Sequence, residues 1–220
     1  MKRGYFMFTS GFWVSCAVVA LFSYLLGSLN FGIIVSKVLL KDDVRRHGSG
    51  NAGMTNVLRT YGKKPAALTT VGDFSKGAAA ILAARLLFNF LGHPASYAGY
   101  VAGLFVLLGH LFPLCFRFKG GKGALTTLGI MFMLNPLVFG AVCLIFIPMV
   151  FLTKIVSLTV ISGAAAFPVF TFAIRMLQGR PFAFETIFAA LMGIIVIIVH
   201  KDNIRRLLSG TEYKFGGRKK

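Results

Sequence analysis

The chain has 220 residues, 56% of them hydrophobic and 14% charged, and its 24 Lys and Arg against 6 Asp and Glu give a formal charge of +18. A soluble domain of this length carries about 25% charged residues, so the composition is that of an integral membrane protein. The basic excess does not indicate nucleic-acid binding, because the cations fall in clusters between apolar runs. Topology, anionic lipid headgroups and an anionic substrate account for them. Cys16, Cys115 and Cys143 lie in apolar surroundings without metal-ligand spacing. They are expected to be buried small hydrophobes, and their odd number offers no disulfide framework.

Lys2 and Arg3 precede an apolar run over residues 12–35. The run lacks a small-residue cleavage site and outlasts a signal-peptide core, so it is expected to be a span, which needs ~20 residues. Residues 37–64 are polar and contain GSGNAGMTNVLR at 48–59. A helix capped near Asn51 or Thr55 would place Asn56 and Arg59 on one face, and the alternative is a solvated connector. Residues 65–91 form a second span with Asp73, Lys76 and Arg85 inside it. The three-residue spacing predicts an Asp73–Lys76 ion pair, while Arg85 is close enough to the far end to snorkel. After the His93-Pro94 turn, residues 97–116 make a third span.

Residues 109–128, GHLFPLCFRFKGGKGALTTL, place Arg117, Lys119 and Lys122 around a Gly120-Gly121-x-Gly123 turn. One reading is a concavity of backbone N–H groups at a helix N-terminus, suited to phosphate. The other is a glycine hinge with ordinary cytoplasmic cations. A short apolar helix over 124–134 ends at Asn135-Pro136, and spans follow at 137–153, 155–177 and 184–199. The helical pattern continues through His200 to Leu208, and a basic tail occupies 214–220. The pattern therefore predicts one all-α integral membrane domain over residues 1–220, a bundle of about seven transmembrane helices. The loops holding most Lys and Arg are cytoplasmic, which puts the N-terminus outside and the C-terminus in the cytoplasm.

All three polar motifs then share one face of the membrane. Ser49, Asn51, Arg59, Lys122, His200 and Asn203 supply cations, amide donors and a residue that titrates near neutral pH. Such a set fits phosphate binding and stabilisation of developing negative charge. Carboxylates are too few and too scattered for a metal centre, so neither metal nor cofactor is expected. No serine elbow and no histidine with an aspartate five residues later is present. A membrane transporter for phosphate esters is the alternative function. It would be expected to show repeated halves and polar groups near midplane, whereas the sequence shows no internal repeat and its polar motifs gather at one face.

The segments at 48–59, 109–123 and 200–212 resemble the three cytoplasmic motifs of the bacterial acyl-phosphate:glycerol-3-phosphate acyltransferase family (PlsY). The similarity extends through Gly27-Ser28, Asp73-Phe74-Ser75-Lys76-Gly77 and Val156-Ser157-Leu158, so it covers nearly the whole chain. It implies a seven-helix enzyme of the bacterial plasma (inner) membrane. The enzyme would move a fatty acyl group from acyl phosphate to the 1-hydroxyl of sn-glycerol 3-phosphate, giving lysophosphatidic acid and phosphate. Ser49, Arg59, Lys122, His200 and Asn203 are the catalytic positions so implied. Gly50, Asn51, Asn56, Gly120, Gly121, Gly123 and Ser157 are the substrate-binding ones, and Glu212 is a structural acid. Membrane lipids and a soluble enzyme forming acyl phosphate are the implied partners. The proton of the attacking hydroxyl can pass to His200 or to the acceptor's own phosphate. Where family members often carry a second hydroxyl, three residues after Ser157, this chain has Val160.

Overall fold

The computed structural model describes residues 9–215, so Lys2, Arg3 and tail residues 216–220 lie outside the described residues. Within them the chain forms ten α-helices: α1 (Ser10–Ser28), α2 (Phe31–Leu40), α3 (Met54–Tyr61), α4 (Lys63–Phe90), α5 (Ala95–Leu111), α6 (Ala124–Leu134), α7 (Pro136–Thr153), α8 (Val156–Leu177), α9 (Ala183–Val199) and α10 (Lys201–Leu208). Four stretches are long and apolar enough to cross a membrane: α1 with α2, α5, α7 and α8. The pair α9 and α10 makes a fifth if counted as one.

The run expected as one first span is broken. Asn30 is fully buried, and its side-chain oxygen accepts from the Ile33 amide, capping α2 after a two-residue interruption. The last helix is likewise not continuous through His200, since α9 and α10 meet at 62° there. Helix α3 starts from Gly53, not from Asn51 or Thr55. Asn51 instead accepts from the Gly53 amide at 2.8 Å. At the other break Asn135 caps α7 through the Leu137 and Val138 amides, just ahead of Pro136.

In lipid, helices gain little from hydrophobic exclusion, so close backbone contact decides which pairs form. Glycine supplies it reciprocally here. A Cβ at Gly27 of α1 would lie 2.2 Å from the Val106 carbonyl oxygen, and one at Gly109 of α5 would lie 2.1 Å from that of Tyr24. Gly77 and Gly129 make the same exchange between α4 and α6, at 2.5 and 2.1 Å from the oxygens of Thr126 and Phe74.

Charges inside the bundle are paired. Lys76 Nζ lies 2.7 Å from Asp73 Oδ1, both nearly inaccessible, as the three-residue spacing predicts. Arg85 does not snorkel. It donates to the carbonyls of Met133 and Leu134 at 2.6 and 3.4 Å, closing the C-terminus of α6, whose last carbonyls have no helical partner. Cys115 is exposed and Cys16 and Cys143 are half-buried, against the expectation of three buried thiols. Cys115 follows the turn at Pro113 and faces outward from the end of the span.

Candidate active site

Where the three polar segments converge, a cavity of about 380 Å³ opens between α3, the loop before α6, α8 and the α9–α10 bend. Ser49, Asn51, Asn56 and Arg59 line it from the first segment, Lys122 and Gly123 from the second, Ser157 from α8, and His200 and Asn203 from the last. Gly50, Gly120 and Gly121, expected beside substrate, are not in its wall.

The first segment is folded around Asn56. Its amide nitrogen donates to the carbonyls of Val44, His47 and Asn51 at 2.9–3.0 Å, and its oxygen accepts from the Ser49 amide at 3.0 Å. A side chain so fully engaged shapes the loop rather than offering donors to a ligand. Gly48, at φ +56°, passes so close that a Cβ would lie 2.2 Å from the Asn56 oxygen. This arrangement leaves Ser49 exposed at the cavity wall.

The glycine turn works differently from the expected cradle. The Gly120 and Gly121 amides donate to the carbonyls of Leu111 and His110, at 3.2 Å each, and so close the end of α5. Gly123 caps α6 at φ +79°, and the wall contains Gly123, Ala124 and Leu125. The anion-attracting donors facing the cavity are therefore those of α6's first turn, whose amides lack helical partners. Arg45, which sequence reasoning passed over, ties this loop to the first segment. It donates to the Phe116 and Lys119 carbonyls at 2.9 and 3.1 Å while paired with Asp43 at 2.7 Å. That guanidinium holds the Asp43 carboxyl down at about 2, against the cost of partial burial.

Glu212 is the hub of the third segment. Its Oε1 accepts from Ser157 and Asn203 at 2.8 and 2.7 Å, and its Oε2 from Arg206 at 2.7 Å. Burial pushes its pKa up, but these hydrogen bonds outweigh burial and keep it below the usual carboxylate range. Asn203 in turn accepts from Lys122. Burial presses the Lys122 ammonium below the ordinary lysine value, with Arg206 adding to the effect and Glu212 and Asp202 opposing it. Ser157 is thus bound to a protein carboxylate. At the position of the missing hydroxyl, Val160 lines the cavity. Neighbouring Thr159 does not replace it, since its hydroxyl is turned back to the Ile155 carbonyl at 3.2 Å.

Two groups have unused capacity. The Arg59 guanidinium lies over the Tyr213 ring, 3.7 Å from its centre, and its buried Nε has no hydrogen-bond partner. His200 Nδ1 lies 2.7 Å from the Val196 carbonyl, which only accepts, so Nδ1 carries the proton and Nε2 keeps a lone pair. Toward α6, α7 and α8 the wall becomes apolar, through Leu128, Phe146 and Val160, and the same residues border a second, small apolar cavity. Cations, a basic nitrogen and an apolar extension suit an amphiphile bearing phosphate.

Fold and site together define an all-helical membrane protein with a cation-lined cavity that continues into an apolar wall. The chain belongs to the glycerol-3-phosphate acyltransferase family, whose model, described as "Glycerol-3-phosphate acyltransferase", matches residues 17–210. Proteins of that description from Clostridioides difficile (strain 630) and Neisseria meningitidis serogroup C (strain 053442) are 40% and 44% identical to it. The alignments cover 93% and 89% of this chain and 98% and 94% of those relatives. Among solved structures, the glycerol 3-phosphate form of PlsY (YgiH), an integral membrane glycerol 3-phosphate acyltransferase, superposes with a TM-score of 0.80 at 36% identity. Its lysophosphatidic acid form superposes at 0.78 and 35%, each match covering 92% of this chain and 96% of the other.

Proposed function

We propose that this protein transfers a fatty acyl group from acyl phosphate to the 1-hydroxyl of sn-glycerol 3-phosphate, at the cytoplasmic face of a bacterial plasma membrane. The observation that carries this is the unpartnered Arg59 Nε in the same cavity as Lys122 and the His200 lone pair. A buried donor without an acceptor is uncommon in a native structure and points to one that arrives with a ligand. The acceptor is supported by the glycerol 3-phosphate form of the related structure.

In this reading Arg59, Lys122 and the first turn of α6 offset the repulsion of two phosphates brought together. The acyl chain follows the apolar wall between α6, α7 and α8. The acceptor hydroxyl donates to His200 Nε2, which aims its oxygen at the acyl carbonyl carbon. A carbon–oxygen bond forms to glycerol, the carbonyl carbon–oxygen bond to phosphate breaks, and phosphate leaves with the electron pair. The hydroxyl proton leaves by way of His200 or a substrate phosphate oxygen. Acyl phosphate is a mixed anhydride with a good leaving group, so no covalent enzyme intermediate is needed.

Purified protein in detergent, given labelled glycerol 3-phosphate and a chelator, is expected to form lysophosphatidic acid from acyl phosphate and none from acyl-CoA. Equal use of acyl-CoA would refute the donor. Seven membrane crossings with the N-terminus outside complete the proposal. A cysteine at Ser96 should label from outside and one at Lys119 from inside, in a chain lacking its native thiols.

A further inference from the structure

The reaction above makes no use of the most deeply buried ionisable cluster in the described chain. Asp73, Lys76 and His110 are each at most 3% exposed, and Asp73 and His110 form part of the cavity wall. Lys76 Nζ donates to Asp73 Oδ1 at 2.7 Å, to the Leu29 carbonyl at 2.8 Å, and lies 2.8 Å from His110 Nδ1. An ammonium has three hydrogens and no lone pair, so in the third contact it can only be the donor. His110 Nδ1 is then the acceptor, and the ring proton sits on Nε2. Asp73 Oδ1 also lies near Nδ1, at 3.5 Å, but it already accepts from Lys76 and from the Phe31 amide at 3.3 Å.

Nε2–H makes no hydrogen bond within the protein among the described residues. Beside it stands Gly121, where a Cβ would lie 2.2 Å from Nε2, so any side chain there would crowd the imidazole edge. Only a glycine lets the turn pass this close to the imidazole, and the next residue along the turn, Lys122, lines the cavity with His110. The two cavity histidines thus have opposite tautomers. His200 offers a lone pair, whereas His110 offers a proton and cannot take one without displacing the Lys76 contact.

We propose that His110, held as its Nε2–H tautomer by Lys76, donates a hydrogen bond to a substrate phosphate oxygen in the cavity and is a substrate-positioning residue of the transfer reaction. The assignment rests on the proposed acyl transfer for which phosphate is bound. Both reactants carry such an oxygen, and their separate KM values identify which one His110 holds.

The test uses two substitutions with opposite geometry. Asn reaches only as far as Nδ1, so His110→Asn keeps an acceptor for Lys76 and removes the cavity donor. Gln reaches as far as Nε2, so His110→Gln restores the donor and disturbs the Lys76 contact. His110→Asn is expected to raise KM for one phosphate substrate about ten- to a hundredfold, the range of a charge-assisted hydrogen bond, with kcat and melting temperature little changed. His110→Gln is expected to recover most of that KM while melting lower. Calorimetric titration of the same proteins in detergent with glycerol 3-phosphate and with inorganic phosphate should show the same loss and recovery for the ligand concerned. Wild-type KM values and affinities in His110→Asn would overturn the proposal, as would losses in both variants that track melting temperature. A fall in kcat alone would overturn the ground-state contact. If the wild type binds phosphate ligands but does not turn over acyl phosphate, the acyl-transfer reading fails while the binding data still decide the role of His110.

Discussion

Arg59 has a long side chain whose position depends on an aromatic lid, and removing that lid gives a measurable result. Tyr213 is fixed on either side: Glu212 accepts from Ser157, Asn203 and Arg206, and the Phe215 amide donates to the Lys154 carbonyl at 2.6 Å. The ring lies 3.7 Å from the centre of the guanidinium, which aims Arg59 without occupying its N–H groups. A stacked cation of this kind is worth ~0.5–2 kcal/mol, increasing with desolvation. At 1.4 kcal/mol per tenfold, Tyr213→Ala should raise KM for the phosphate substrate held by Arg59 by roughly 2- to 30-fold. Tyr213→Phe keeps the ring face and should behave as wild type. The decisive assay is a double-mutant cycle in detergent-purified protein, measuring kcat/KM for the wild type, Tyr213→Ala, Arg59→Ala and the pair. If Tyr213 acts through Arg59, its removal costs little once Arg59 is gone. An undiminished Tyr213→Ala penalty in the Arg59→Ala background would refute the reasoning.

Lys122 gives a pH-dependent prediction. Its pKa is depressed, so its charge, and with it phosphate binding, is lost as pH rises through a value below that of an ordinary lysine. KM should climb on that alkaline limb, move to higher pH in Lys122→Arg, and lose the limb in Lys122→Ala, with kcat/KM down roughly ten- to a hundredfold. An alkaline limb unmoved in Lys122→Arg would assign it to another group. Gly121→Ala places a methyl 2.2 Å from His110 Nε2 and should raise KM for the same substrate as His110→Asn, with the α5 closure kept. Separate substrates affected by the two changes would contradict the shared contact.

Much of the helical framework is written in local signals. Asn135-Pro136 and the His93-Pro94 turn interrupt apolar runs, and the chain breaks at both places. The convergence of Ser49, Arg59, Lys122, His200 and Asn203 in one cavity agrees with the sequence reading, in which three cation-rich segments separated by even numbers of crossings face the same way. What pattern could not supply depends on contacts far along the chain. The break at Asn30 looks apolar on both sides, and only the side-chain cap on Ile33 defines it. Arg85 sits near a helix end, which suggests snorkelling, but the open carbonyls of α6, 48 and 49 residues away, are stronger acceptors within reach.

The glycine turn shows the same limit at the level of chemistry. Its composition correctly suggests that backbone must come close to something, and leaves open what that something is. Gly120 and Gly121 approach His110, a Cβ at Gly120 lying 2.0 Å from the His110 carbonyl oxygen and one at Gly121 2.2 Å from Nε2. Their amides close α5, so the free backbone donors nearest the cavity are those of the next helix start, two residues on. His110 is hidden for a related reason. It reads as an ordinary polar residue at the end of an apolar span, and its partners Asp73 and Lys76 read as a pair complete in themselves. An ammonium with three donors needs three acceptors, however, and Asp73 and Leu29 provide two. The third has to come from another helix, and that it is a histidine nitrogen fixes where the imidazole proton lies.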